Sequence, residues 1–216
     1  MLRGFYFITE QRLSREGIIS DVRQAISAGV CAVQYRNKEA STREMFEEAL
    51  KLRKICRKTP LIINDRVDIA LAVKADGVHL GQDDMPIKSA RKILGKNKII
   101  GLTAHSLPEA EEAQKQGADY LGVSPIFLTH TKNDAGKPVG TGLIIKIKSK
   151  CRVPIVAIGG ISLENAEEVV QAGADALCAV SAVVTKVNLS GEIKKFQRLF
   201  DNRCLRKDSV TNLADF

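Results

Sequence analysis

Tryptophan is missing from this 216-residue chain, and aromatic residues make up only 5% of it. A core must then be packed from Ile, Val, Leu and Ala, the usual content of buried parallel strands. The five cysteines, Cys31, Cys56, Cys151, Cys178 and Cys204, form no CxxC pair, and their number is odd. That excludes a disulfide framework and a zinc site, and it points to a reducing compartment. Cys31 and Cys178 lie in apolar strand-like runs and read as small buried hydrophobes. No apolar run approaches the length of a membrane span. The opening "MLRGFYFITE" turns polar too soon for a signal peptide. A cytoplasmic protein with no membrane partner is expected. Basic runs interleaved with aromatics are also absent, although the net charge is +8. A basic balance suits nucleic acid, an anionic surface or small phosphorylated substrates. The scatter of Lys and Arg over outer helix faces argues against nucleic acid.

What is present is periodic. With 44% hydrophobic residues the chain can bury one sizeable core. "SAGVCAVQ", "KADGVHLG", "GADYLGVS" and "GADALCAVS" each place a helix-ending residue before a short apolar strand. The matching positions 29, 74, 117 and 173 are 45, 43 and 56 apart, room for two strand–helix units each. "FYFIT" opens the chain, and "PLIIND", "KIIGLT" and "VPIVAIGG" supply the strands between. Helical patterns separate them, with Ser41 and Ser162 as expected N-caps. Eight alternating units predict an α/β fold, a single (β/α)8 TIM barrel over residues 1–200. A doubly wound sheet is the competitor, but no GxGxxG turn follows the first strand. The polar, aperiodic stretch from Asp201 reads as a C-terminal tail or a homo-oligomer contact.

In such a barrel, chemistry sits at the C-terminal strand ends. Strand two ends "VQYRNK", and alternation puts Gln34, Arg36 and Lys38 on one side with Tyr35 and Asn37 on the other. Two cations and an amide suit a diphosphate. Strand three ends "INDRVD", with Asn64 and Asp65, and strand four ends "HLGQDDMP", with Asp83 and Asp84. Each could be a turn or a helix start. Carboxylates on adjacent strand ends also suit Mg²⁺, which takes one or two of them plus substrate phosphates. Strand five ends with Thr103, a hydrogen-bonding candidate. His79, His105 and His130 lack metal-ligand spacing and read as packing or hydrogen-bonding residues. Strand six runs into "VSPIFLTHTKNDAGKPVG", where Thr129, Thr131 and Lys132 follow the core directly. A plain turn needs only Gly, Asn or Asp; hydroxyls and a cation suit a phosphate. Gly159 and Gly160 after strand seven let backbone N–H groups approach a ligand. With Ser181 after strand eight they form the usual barrel phosphate site. No nucleophile and no acid–base pair stand out, which suits a reaction driven by a stabilised leaving group.

Taken together, "VQYRNK", "IINDRVDIALAVKADGVHLGQDDMP", "PIFLTHTKNDAG" and "VAIGGISLENAEEVVQAGADALCAVSAVV" resemble the thiamin phosphate synthase family along the whole barrel. The resemblance implies a TIM barrel that joins hydroxymethylpyrimidine diphosphate to hydroxyethylthiazole phosphate, with Mg²⁺ and release of pyrophosphate. It implies a dissociative reaction, in which a pyrimidine carbocation is captured by the thiazole nitrogen. Gln34, Arg36, Lys38, Asn64 and Lys132 would hold the pyrimidine diphosphate, and Asp65 and Asp84 the Mg²⁺. Thr103 stands where the family commonly has Ser. Thr129, Thr131, Gly160 and Ser181 would bracket the thiazole phosphate. Arg36, Lys38, Thr103 and Lys132 would act on the departing pyrophosphate. Tyr35 and Asn37 stand where Leu and Glu are usual, Ser124 where Gly is usual and Leu128 where Pro is usual. A thiazole tautomerase-like paralogue would lack the diphosphate and metal residues. A non-catalytic phosphate-ligand or nucleic-acid binder would show salt-dependent nucleic-acid binding and no turnover.

Overall fold

The computed structural model describes residues 2–129, 131 and 136–211, with side chains up to Asp201. Strands and helices alternate from the start. β1 (Gly4–Ile8) leads to α1 (Ile18–Ser27), β2 (Ala32–Tyr35) to α2 (Thr42–Ile55), and β3 (Leu61–Asn64) to α3 (Val67–Ala72). β4 (Gly77–Leu80) precedes α4 (Ile87–Leu94), and β5 (Ile99–Ala104) precedes α5 (Leu107–Gln116). β6 (Tyr120–Val123), α6 (Thr141–Lys150), β7 (Ile155–Ile158), α7 (Ala166–Gln171), β8 (Ala176–Cys178) and the short α8 (Val180–Val184) complete the repeat. The final helix, α9, runs Leu189–Thr211.

All eight strands pair in parallel with their sequence neighbours, and β1 also pairs with β8, so the sheet is a closed barrel. This is the expected single (β/α)8 architecture. Two apolar layers hold it. Strand residues such as Phe7, Val33, Leu61, Val78 and Leu121 pack outwards against helix residues such as Val22, Ala49, Ala90 and Val169. A smaller cluster fills the interior, built on Tyr6, Ile8, Ile62, Tyr120 and Val156.

The four repeat positions share one geometry. Gly29, Lys74, Gly117 and Gly173 have φ of 80°, 53°, 89° and 111°, the left-handed turn that ends a helix. At each, the next residue's N–H reaches back across the turn: Val30 to Ala25, Ala75 to Ala70, Ala118 to Ala113 and Ala174 to Val169. Ser41 caps α2 through a reciprocal pair with Glu44, as its spacing predicts.

One expectation needs correction. Ser162 is not an N-cap: α7 begins at Ala166, and Asn165 Oδ1 instead accepts from the Ser162 N–H (2.9 Å), closing a turn ahead of the helix. From Asp201 the backbone of α9 continues as helix to Thr211.

Candidate active site

The C-terminal strand ends converge on one cavity. Gln34 and Arg36 line it from β2, Asn64 from β3, His79 from β4 and Thr103 from β5. Thr129 and Thr131 reach it from the loop after β6, Gly159 and Gly160 from the turn after β7, and Ser181 from beyond β8. Eight of the expected site residues, Gln34, Arg36, Asn64, Thr103, Thr129, Thr131, Gly160 and Ser181, thus share one space. Ser181 lies in the first turn of α8 rather than on the strand, because β8 ends at Cys178. Lys132 lies outside the described residues.

Alternation sorts β2 as expected. Tyr35 and Asn37 point away from the cavity, where both donate to Glu48 Oε2 of α2 (2.5 and 3.2 Å). Gln34, only 1% exposed, points inwards and donates to the Tyr6 hydroxyl (3.1 Å). Arg36 meets a partner that its motif does not show: its Nη1 lies 3.1 Å from Glu10 Oε2. The other oxygen of Glu10 accepts from Arg12 Nε (3.2 Å), and Arg12 Nη2 donates to the Thr131 carbonyl (3.4 Å). One buried carboxylate therefore links the arginine of β2 to the loop after β6. Thr9 ties the same corner together, accepting from the Arg36 N–H (2.9 Å) and donating to its carbonyl (3.1 Å).

Lys38, Asp65 and Asp84 form a second cluster that does not line the cavity but adjoins it through Asn64. Lys38 Nζ is 3.4 Å from Asp65 Oδ2. Asp65 adopts φ 61°, a left-handed turn that Asp and Asn tolerate, and donates its N–H to the His79 carbonyl (2.8 Å). Burial raises the Asp65 carboxyl above its usual range, the Asp84 carboxylate beside it raises it further, and Lys38 lowers it only in part. Asp84 also accepts the Gly81 N–H (2.6 Å). Two adjoining carboxylates, one of them paired with a lysine, fit a hard cation with few protein ligands. Among the described residues no group of three or more His, Cys, Asp or Glu is placed to hold a metal. Further ligands would then be water, backbone or substrate oxygens.

The Gly159–Gly160 turn has a use beyond approach to a ligand. A Cβ on Gly159 would lie 2.7 Å from Pro125 Cβ, and one on Gly160 would lie 2.4 Å from the Leu128 carbonyl oxygen. The bare turn lets the loop after β6 lie against β7, where the Ile126 and Phe127 N–H groups bond to the Ile158 and Gly159 carbonyls (2.9 and 3.0 Å). That contact places Thr129 and Thr131 at the cavity.

Four participants were not read from the strand ends: Thr9, Glu10, Tyr6 and Tyr120. Thr9 and Glu10 close "FYFITE", and the rule applied to the other strand ends finds them. Tyr6 and Tyr120 sit within apolar runs and carry no motif. Their hydroxyls meet at 2.7 Å in the barrel interior, where burial raises both phenol pKa values and keeps them neutral. His79 joins them as a hydrogen-bonding residue, the role expected of it, through Tyr120 (2.9 Å) and Thr103 (3.0 Å).

A closed barrel that gathers cations, hydroxyls and a Gly-Gly turn at one mouth, beside a carboxylate pair, defines a class: (β/α)8 enzymes of small phosphorylated molecules. The chain belongs to the thiamine monophosphate synthase family, whose model matches residues 5–183. It is 52% identical to the thiamine-phosphate synthase of Methanosarcina mazei over 193 residues, 89% of this chain and 80% of that protein. It is 50% identical to the thiamine-phosphate synthase of Chloroflexus aurantiacus over 197 residues, covering 90% and 91%. Among solved structures, thiamine phosphate pyrophosphorylase from Pyrococcus furiosus superposes with a TM-score of 0.85 at 41% identity, covering 92% and 96%. A geranylgeranylglyceryl phosphate synthase from Thermoplasma acidophilum, at 16% identity and a TM-score of 0.67, shares the fold alone.

Proposed function

We propose that the protein makes thiamin phosphate from hydroxymethylpyrimidine diphosphate and hydroxyethylthiazole phosphate, releasing pyrophosphate. The observation that carries this is the convergence of Gln34, Arg36, Asn64, Thr103, Thr129, Thr131, Gly160 and Ser181 on one cavity, which we assign to two anion sites. Gln34, Arg36, Lys38 and Asn64 face the diphosphate, with Lys132 of the following loop assigned to the same group. Thr129, Thr131, Gly160 and Ser181 face the single phosphate. The reading takes a dissociative path, because the described side chains of the cavity supply a cation and hydrogen-bond donors for a leaving group. The methylene C–O bond breaks with its electron pair going to pyrophosphate, and the thiazole nitrogen lone pair closes the new C–N bond. Arg36 and Lys38 draw charge from the leaving group, and Thr103 donates to it. Asp65 and Asp84 would hold Mg²⁺, which supplies charge stabilisation to the diphosphate oxygens. The residues fit that ion because their mutual repulsion is only partly offset by Lys38.

No helix among the described residues is long and apolar enough to cross a membrane, and Cys31, Cys56, Cys151 and Cys178 are free thiols. Both features are in keeping with a cytoplasmic enzyme.

Turnover of the two purified substrates, with Mg²⁺ and then with a chelator, tests the reading. Metal-dependent thiamin phosphate and pyrophosphate are expected. Asp65→Asn keeps the turn geometry and is expected to lower kcat at least about a hundredfold. Isomerisation of the thiazole phosphate without condensation would move the chain to tautomerase chemistry. Near-normal activity in Asp65→Asn would remove the metal assignment.

A further inference from the structure

Five side chains form an unbroken hydrogen-bonded line through the barrel interior beside the cavity: Gln34, Tyr6, Tyr120, His79 and Thr103. The separations are 3.1, 2.7, 2.9 and 3.0 Å. Three of the five, Gln34, His79 and Thr103, line the cavity.

The line has a direction, set at its Gln34 end. An amide nitrogen only donates, so the Tyr6 oxygen accepts from Gln34 Nε2. The single Tyr6 proton then goes to the Tyr120 oxygen, and the Tyr120 proton goes to His79 Nδ1. A neutral imidazole that accepts at Nδ1 carries its proton on Nε2. That N–H faces Thr103 Oγ1, so the threonine oxygen is already an acceptor within the protein. Its own O–H is left for a partner in the cavity. The opposite polarity would give the Tyr6 oxygen two donors and leave its proton with no acceptor on this line, in a residue of 0% exposure. A fully buried O–H without a partner is costly, so the first polarity is favoured.

Missing side chains hold the two rings in place. A Cβ on Gly101 would lie 2.1 Å from the Tyr120 ring, and one on Gly122 would lie 2.8 Å from His79 Cε1. The rings stack with centroids 5.4 Å apart. Glycines on β5 and β6 thus make a slot that the pair fills.

We propose that Tyr120 and His79 are positioning residues that fix the Thr103 hydroxyl as a hydrogen-bond donor toward the departing diphosphate. The inference rests on the synthase reading of the cavity, in which Thr103 faces the leaving group. Tyr120 does not line the cavity, and the role assigned to His79 is to orient Thr103. They act through Thr103.

Two measurements test it. Nitrogen-15 NMR of the substrate-free protein reads the His79 tautomer directly, with the signal assigned by its loss in His79→Asn. The Nε2–H form is expected in the wild type, and a mixture in Tyr120→Phe. Steady-state kinetics form the second arm. Removing one polarising hydrogen bond is expected to lower kcat roughly tenfold in Tyr120→Phe, with both KM values within about twofold. Thr103→Val should lose about a hundredfold, and Thr103→Ser should keep most activity. The double variant should be no slower than Thr103→Val alone, because both changes act through one hydroxyl. An Nδ1–H tautomer in the wild type, or losses that multiply in the double variant, would overturn the proposal. If Tyr120→Phe fails to fold, the wild-type tautomer still decides. If the wild type makes no thiamin phosphate, the proposed function fails while the tautomer is still read independently.

Discussion

At the scale of single residues, Asp21 is a cost that the fold carries. It sits in the first turn of α1 with 3% exposure, and its Oδ2 has no hydrogen-bond partner among the described residues. Burial pushes its carboxyl pKa up. The nearby Ser14 hydroxyl opposes that, and Glu16 adds to it. A carboxyl whose folded pKa is raised favours the fold when protonated, and that contribution is lost as pH rises through the folded value. Asp21→Asn should therefore unfold at higher urea than the wild type at neutral pH, by about 0.5–1 kcal/mol. The gap should close as pH falls below the usual carboxylate range. A gap that stays constant with pH would show that burial of the charge is not the cause. Residues of this kind mark the limit of sequence reading. Gln34, Arg36 and Asp65 were legible because alternation and strand-end position announce them. Tyr6 and Tyr120 were not, because an aromatic in an apolar run looks the same whether its hydroxyl is bonded to another side chain or simply packed. Glu10 is within reach of the strand-end rule, but its pairing with Arg36 shows only once β1 lies beside β2.

At the scale of elements, the repeat was legible because its punctuation is physical. α1, α3, α5 and α7 each end in a left-handed turn, and glycine occupies three of the four positions. Lys74 is the exception at φ 53°. A side chain there strains against its own carbonyl, while glycine does not, although glycine gives up more backbone entropy on folding. Lys74 is exposed, so its side chain has little packing to lose. Lys74→Gly should stabilise the protein by about 0.5–1 kcal/mol, read as a higher urea midpoint with an unchanged slope. No rise would mean that the lysine side chain makes up for its strain. The boundaries that reading missed have equally local causes. Ser162 followed by Glu164 resembles a cap, but the Asn165 side chain bonds back to the Ser162 N–H within a turn, and α7 begins only at Ala166. "DNRCLRKDSVT" shows no apolar stripe, so its periodicity could not reveal that the backbone of α9 continues through it.

At the scale of the whole molecule, the two ends of the barrel divide the work. The C-terminal end gathers the cavity. Near the N-terminal end of β1, α9 packs on the outside of the barrel against α1 and α7 and brings Phe196 against Phe5, with ring centroids 5.4 Å apart. Gln197 bonds beside this contact: its Oε1 accepts the Phe5 N–H (3.0 Å), and its Nε2 donates to the Gly29 carbonyl (2.7 Å). That oxygen lies 2.3 Å from where a Cβ on Gly4 would stand, and Gly4 also has φ 102°, so both the contact and the backbone favour glycine at the start of β1. Gln197→Ala leaves a buried strand N–H without its acceptor. It should cost about 1–3 kcal/mol of stability. The cavity is at the far end of β1, at Thr9 and Glu10, and no hydrogen bond of Gln197 reaches it. Turnover at a temperature where the variant is folded should then match the wild type within about twofold, since packing at the N-terminal face of such a barrel serves stability rather than chemistry. A kcat that falls in proportion to the lost stability would show instead that β1 transmits strain along its five residues to the Glu10–Arg36 pair. The barrel would then have to be treated as one mechanical unit from its final helix to its active site.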